Sequence, residues 1–114
     1  MLVVDDDPGI RDVMLDTLSD EGYDVLAAPN GQVALQFAAE HPPDVILLDY
    51  QMPVCDGPTF AAAYRRQPPP HAPIVLLTAS HEAKRRAEEV RADAWLGKPF
   101  ELDALFDLVA RYAA

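Results

Sequence analysis

The chain has 114 residues, half of them hydrophobic and a quarter charged, which permits one folded domain with a buried core and excludes a disordered chain. Nine basic residues against 19 acidic ones give a net charge of −10, so we do not expect this segment to bind nucleic acid directly. No apolar run approaches the roughly 18 residues of a membrane helix, and the first residues lack the features of a signal peptide, so we expect a cytoplasmic protein without membrane contact.

Five short apolar runs recur along the chain and do not alternate with polar residues. Strands that are buried on both faces have this pattern, and they occur where helices cover both sides of a parallel sheet. The predicted strands are Leu2 to Val4, Val25 to Ala28, Val45 to Leu48, Ile74 to Leu77, and Ala94 to Leu96.

Segments with helical spacing separate and follow these runs. In the first helix, Asp7 is suited to cap the start, Pro8 to the first helical position, and Gly22 stands just past the end. Its apolar stripe is predicted to comprise Ile10, Val13, Met14, Thr17 and Leu18. The other helices are predicted from Asn30 to about His41, from Gly57-Pro58 to before Pro68, from about His81 to Arg91, and from after Pro99 almost to the last residue. Strands alternating with helices predict an α/β protein, a three-layer (βα)₅ sandwich whose single domain spans residues 1–114.

Polar side chains follow four of the predicted strands. In an open α/β sheet the ligand crevice lies outside the carboxyl ends of the strands, so these side chains should converge on one edge. They are Asp5, Asp6 and Asp7 after the first run, Asp49 after the third, Thr78 after the fourth, and Lys98 two positions after the fifth. Taken singly, each has an ordinary explanation: Asp7 as a helix cap, Thr78 as a loop cap, Lys98 as a solvated charge.

Taken together, these residues predict a phosphoryl-transfer site. Carboxylates a few ångströms apart repel each other and raise at least one pKa unless a cation is present, and Mg²⁺ is a cation suited to oxygen ligands. The ammonium of Lys98 adds a second positive charge and the hydroxyl of Thr78 can donate a hydrogen bond. Asp49 is then placed to act as a nucleophile toward phosphorus.

The segments VVDDDPGIR, LLDYQMPVCDG, LLTAS and GKPF, in this order and at these separations, resemble the signatures of receiver domains of two-component response regulators. The resemblance extends over essentially the whole chain. It implies a flavodoxin-like fold whose five parallel strands lie in the order 2-1-3-4-5, an order for which a chemotaxis receiver is a known example.

The resemblance also implies roles for individual residues. Asp49 is the phosphoacceptor, and Asp5 and Asp6 bind Mg²⁺ together with Asp49 and the main-chain carbonyl of Gln51; Mn²⁺ can substitute. The remaining roles fall to residues further along the chain. Asp56-Gly57 is the loop before the third helix, Thr78 is the switch hydroxyl, Ala79 is the small residue beside it, and Lys98 is the lysine that precedes a cis proline, Pro99. Trp95 stands where the family usually has Tyr or Phe as the switch aromatic.

The function implied is that of a signalling phosphoacceptor. A histidine kinase or histidine phosphotransfer protein supplies the phosphoryl group, and the domain then slowly dephosphorylates itself and is not a turnover enzyme. An output domain or target protein, or a second copy after phosphorylation, would receive the signal, but the sequence does not identify it. Two alternatives stay open: a haloacid-dehalogenase-like phosphatase, whose nucleophile would be Asp5, and a pseudo-receiver that only binds partners.

Overall fold

The computed structural model describes residues 1–113, and its centre is a five-stranded parallel sheet. The strand order is β2-β1-β3-β4-β5, which confirms the predicted topology. The strands are β1 (Leu2–Val4), β2 (Leu26–Ala28), β3 (Ile46–Asp49), β4 (Ile74–Ala79) and β5 (Ala94–Lys98).

Five helices connect and follow these strands: α1 (Pro8–Asp20), α2 (Gly31–Glu40), α3 (Gly57–Arg65), α4 (Ala83–Val90) and α5 (Leu102–Tyr112). Three begin with a side-chain cap from the preceding residue, which is Asp7, Asn30 or Asp56. A short 3₁₀ turn, Ser80–Glu82, leads into α4. No helix within residues 1–113 is both long and apolar enough to cross a bilayer.

The sheet separates two apolar cores, because successive side chains of a strand point to opposite faces. In β1, Leu2 and Val4 belong to the core under α2, α3 and α4, whereas Val3 belongs to the core under α1 and α5. Phe60 of α3 fills the first core and Leu105 of α5 the second, both without solvent exposure. This arrangement is the predicted three-layer sandwich.

Several predicted boundaries were wrong by one to three residues. β3, β4 and β5 extend past their apolar runs, so Asp49, Thr78 and Lys98 lie within strands and not after them. The reason is ladder pairing, which continues where the side chains become polar: Thr78 is opposite Gly97. β2 starts at Leu26, which is partly exposed at the edge of the sheet.

Four helices also differ from the prediction. α3 ends at Arg65, short of Pro68, and α5 begins at Leu102 and not directly after Pro99. The segment predicted as helical from His81 starts with the 3₁₀ turn, so the fourth helix begins at Ala83. In α1, Val13 is 53% exposed and lies outside the core, whereas Met14 and Leu18 are buried. The apolar stripe of α1 is therefore narrower than the spacing indicates.

The carboxyl end of α4 is held by α3. Arg65 donates from both terminal nitrogens of its guanidinium, to the carbonyl of Val90 and to that of Arg91, each at 2.6 Å. Arg91 itself adopts a left-handed conformation with φ of 60°, which ends the helix. The amino end of α4, by contrast, lacks a side-chain cap among the described residues.

Candidate functional site

Three carboxylates meet where β1 and β3 end. Each of Asp5, Asp6 and Asp49 offers an oxygen within 4.8 Å of the other two. Asp5 is 2% exposed, whereas Asp6 lies at the surface. They converge because β1 and β3 are adjacent and parallel, with Val4 opposite Leu48, so that both strands deliver the next residue to the same edge.

Asp7 does not belong to this acidic cluster. Its Oδ1 accepts hydrogen bonds from the main-chain nitrogens of Gly9 at 2.8 Å and Ile10 at 3.3 Å, which is the capping role expected for it. Its own main-chain nitrogen donates to Oδ1 of Asp5 at 2.9 Å. That bond fixes one oxygen of Asp5 and leaves the other for the cluster.

Lys98 reaches the cluster from the end of β5. Its Nζ lies 3.3 Å from Oδ1 of Asp49 and 3.6 Å from Oδ2 of Asp5. The following peptide bond, to Pro99, is cis, as the resemblance implies. One ammonium therefore contacts two of the three carboxylates, and the cluster keeps an excess of negative charge.

The pKa of Asp49 is raised from 3.8 to about 6. The largest cause is burial of the carboxyl, which penalises its charged form; Lys98 opposes the rise, and repulsion from Asp5 and Asp6 adds to it. The sequence alone predicts a rise caused by repulsion between the acids. Repulsion contributes, but desolvation is the larger cause.

A cavity of about 440 Å³ opens beside Asp49. It is lined by Asp49, Gln51, Thr78, Ala79, Arg86, Lys98 and Pro99. The predicted acceptor, hydroxyl, small residue and lysine thus surround one space. Thr78 is 2% exposed and Ala79 is half-buried, so the hydroxyl is presented from a fixed strand end.

The loop before α3 packs against the end of β3. The carboxylate of Asp56 accepts from the main-chain nitrogen of Thr59 at 2.9 Å, and the nitrogen of Gly57 donates to the carbonyl of Tyr50 at 2.9 Å. A Cβ at Gly57 would stand 2.9 Å from the carbonyl oxygen of Asp49. Glycine therefore allows α3 to start directly against the end of β3.

Trp95 is not among the residues that line the cavity beside Asp49. It is on β5 opposite Leu76, and 43% of it is exposed. Its role as the switch aromatic stays a prediction.

Arg86 is the site residue that the sequence analysis missed. It lines the cavity from α4, and its Nη1 donates to Oγ1 of Thr78 at 2.7 Å. The available signal was its position: it lies next to Ala87 on a helix whose buried residues are Ala83, Ala87 and Val90. That signal was weak, because a long charged side chain at the border of an apolar stripe can reach either an interior partner or solvent, and Lys84, next to buried Ala83, is exposed.

The acidic cluster fits a hard divalent cation. Oδ2 of Asp5 is buried and has no hydrogen-bond partner within residues 1–113, since Nζ of Lys98 at 3.6 Å is too distant for one. Buried carboxylate oxygens are normally satisfied, and an orphaned one beside two further carboxylates has the chemistry of an oxygen ligand. The residues present are thus suited to Mg²⁺.

Comparisons with known proteins agree on one family. The family model described as response regulator receiver domain matches residues 1–110. The response regulator protein FleR of Pseudomonas aeruginosa is 36% identical over 115 residues, covering 99% of this chain and 24% of that protein. The transcriptional regulatory protein KdpE of Mycobacterium tuberculosis is 37% identical over 105 residues, covering 90% of this chain and 46% of that protein. This chain thus spans a quarter to about half of these relatives.

Solved structures give the same result at the level of the fold. The chemotaxis protein CheY4 of Vibrio cholerae is 37% identical with a TM-score of 0.82, covering 97% of this chain and 95% of that one. The response regulator TrrA of Thermotoga maritima, solved in complex with Mg²⁺ and BeF, is 34% identical with a TM-score of 0.84, covering 97% and 96%.

Proposed function

The chain belongs to the family of response regulator receiver domains of two-component signalling, whose function is to accept a phosphoryl group, and on this premise we propose that Asp49 is its phosphoacceptor. The observation that carries the proposal is the position of Asp49 between Lys98 and the acids Asp5 and Asp6, at the mouth of the cavity that Thr78 lines. We further propose that residues 1–114 form one such domain.

In the proposed reaction, a carboxylate oxygen of Asp49 attacks the phosphorus of a phosphohistidine. The new O–P bond forms while the N–P bond breaks, and the imidazole leaves with the electron pair and takes a proton. Hydrolysis later returns the domain to its unphosphorylated form. Water attacks phosphorus, the O–P bond to Asp49 breaks, and inorganic phosphate leaves while the carboxylate is regenerated.

Asp5, Asp6 and Asp49, with the main-chain carbonyl of Gln51, are the residues that would hold Mg²⁺ or Mn²⁺, which neutralises phosphoryl oxygens when bound. Lys98 contributes a fixed positive charge to the same oxygens, since its ammonium already contacts Asp49. Thr78 lines the same cavity and can donate the hydrogen of its hydroxyl to these oxygens. With these roles the domain catalyses its own phosphorylation and dephosphorylation and no other reaction.

Response regulators interact with histidine kinases and with output domains. For this chain we propose that the donor is a histidine kinase or a histidine phosphotransfer protein in the cytoplasm. The output, whether a further domain, a target protein or a second copy, responds to the phosphorylated form.

Intact-protein mass spectrometry after incubation with acetyl phosphate and Mg²⁺ tests the proposal. The parent should gain the mass of one phosphoryl group, and Asp49→Asn should gain none. Asp7→Asn is the matched control, because asparagine caps a helix as well as aspartate does and Asp7 lies outside the cluster. Label that persists in Asp49→Asn but disappears in Asp5→Asn would instead support the phosphatase alternative, and a parent that is never labelled would support a pseudo-receiver.

A further inference from the structure

Arg86 contacts three residues from three different segments of the chain. Besides its bond to Thr78 on β4, its Nε lies 2.9 Å from a carboxylate oxygen of Glu82. Its guanidinium carbon also lies 4.4 Å from the ring centroid of Tyr50, the residue directly after Asp49. The Arg86 side chain is only 15% exposed. An arginine held by an ion pair, a hydrogen bond and a cation–π contact has a fixed orientation.

The direction of the hydrogen bond matters for Thr78. A hydroxyl has one hydrogen to donate and two lone pairs that accept, whereas a guanidinium only donates. Because Arg86 donates to Oγ1, the hydrogen of the Thr78 hydroxyl is left for another acceptor. Among residues 1–113, Arg86 is the one side chain that hydrogen-bonds Oγ1, so the cavity beside Asp49 is where that hydrogen can be used.

We propose that Arg86 is a positioning residue for phosphoryl transfer, which acts through Thr78 by holding its hydroxyl as a donor toward the phosphoryl group on Asp49. This inference rests on the proposed function of Asp49. It also ties α4 to the acceptor, because the residue that orients the hydroxyl is part of that helix.

Arg85 provides a matched control. It is the neighbouring arginine of α4 and pairs with the same Glu82, but its side chain is 67% exposed and does not line the cavity. Arg85→Gln therefore removes one positive charge from the same helix without touching Thr78. Arg86→Gln removes the charge and the bond to Thr78 together.

A double-mutant cycle with Thr78 is the test, with the rate constant for phosphorylation by acetyl phosphate and Mg²⁺ as the readout. In the parent and in Thr78→Ser, which retains a hydroxyl, Arg86→Gln should lower the rate constant about tenfold or more, the order expected for a lost hydrogen bond to a charged group. In Thr78→Ala the same change should lower it less than about twofold, because no hydroxyl is left to orient. Arg85→Gln should have little effect in any background.

The outcomes separate the two proposals. If Arg86→Gln slows Thr78→Ala as much as the parent, Arg86 acts on the phosphoryl group or on the fold directly, and the inference is wrong while the proposed function stands. If the parent is not labelled at Asp49, both fail. The cycle is repeated with Arg86→Met, whose side chain can still pack on the Tyr50 ring but cannot donate a hydrogen bond. The same dependence on the Thr78 hydroxyl in Arg86→Met assigns the effect to the lost donor and not to lost packing.

Discussion

The charge on Asp49 should destabilise the fold at neutral pH when no divalent cation is bound. The pKa of Asp49 is raised from 3.8 to about 6, so between these values the native state binds more protons than the unfolded state, and stability falls as the pH rises. A rise of about 2 pKa units corresponds to about 3 kcal/mol, and solvent screening of the incompletely buried carboxyl reduces this to about 1–2 kcal/mol.

Asp49→Asn removes this charge and keeps the shape of the protonated side chain. At pH 7.5 with a chelator present, we expect the variant to be more stable than the parent by about 1–2 kcal/mol, a rise in Tm of roughly 4–10 °C. This difference in stability should shrink as the pH is lowered through 6. It should be nearly lost at about pH 4, because the native parent then has a protonated Asp49 and no buried charge.

Thermal unfolding followed by circular dichroism across this pH range measures both effects. Asp7→Asn serves as the control, because its side chain is exposed and outside the cluster. A Tm difference between Asp49→Asn and the parent that is the same at pH 7.5 and at pH 4 would show that the buried charge is not the cause. A parent that is the more stable protein at pH 7.5 would refute the reasoning altogether.

Three further predictions concern the cation, the aromatic residue and the glycine. Mg²⁺ at ten times its Kd should stabilise the parent by about 1.4 kcal/mol, and Asp6→Ala should abolish most of this gain in Tm without lowering the stability of the cation-free protein. Beryllofluoride with Mg²⁺ should shift the fluorescence of Trp95, the only tryptophan, and shift it much less in Thr78→Ala; an unchanged emission spectrum in a parent shown to bind beryllofluoride would exclude the aromatic switch. Gly57→Ala should destabilise the fold by about 1–3 kcal/mol in urea titrations and slow phosphorylation, because the new Cβ would stand 2.9 Å from the carbonyl oxygen of Asp49; wild-type stability would show that α3 shifts freely.

The sequence could predict that the site residues lie together at one edge of the sheet, because the sheet topology alone places them there. The site residues lie at the carboxyl ends of parallel strands; they are Asp5, Asp49, Thr78 and Lys98. Any strand order that makes these strands neighbours brings the four side chains together. The apolar runs mark such strands well, since both faces of the sheet are buried. The ends of β4 and β5 were less predictable, because backbone pairing continues past the apolar side chains.

Arg86 was not predictable in the same way. Whether a long side chain from α4 reaches Thr78 depends on how far the helix is displaced and rotated over the sheet, and that is set by the packing of Ala83, Ala87 and Val90. The exposure of Val13 has a similar origin: helical periodicity gives the direction of a face but not the width that a neighbouring element covers.

The two ends of α4 are held unequally, so we expect its amino end to move more easily than its carboxyl end. Arg65 clamps its last turn through two main-chain carbonyls, whereas its first turn follows a 3₁₀ segment and has no side-chain cap among the described residues. If Thr78 moves on activation, α4 should therefore rotate about its carboxyl end, where Arg65 holds it. Lys84, near the amino end, should then be displaced further than Glu88. Spin labels at these two positions, measured with and without beryllofluoride, should show the larger displacement at Lys84, and Arg65→Gln should abolish that difference by removing the pivot.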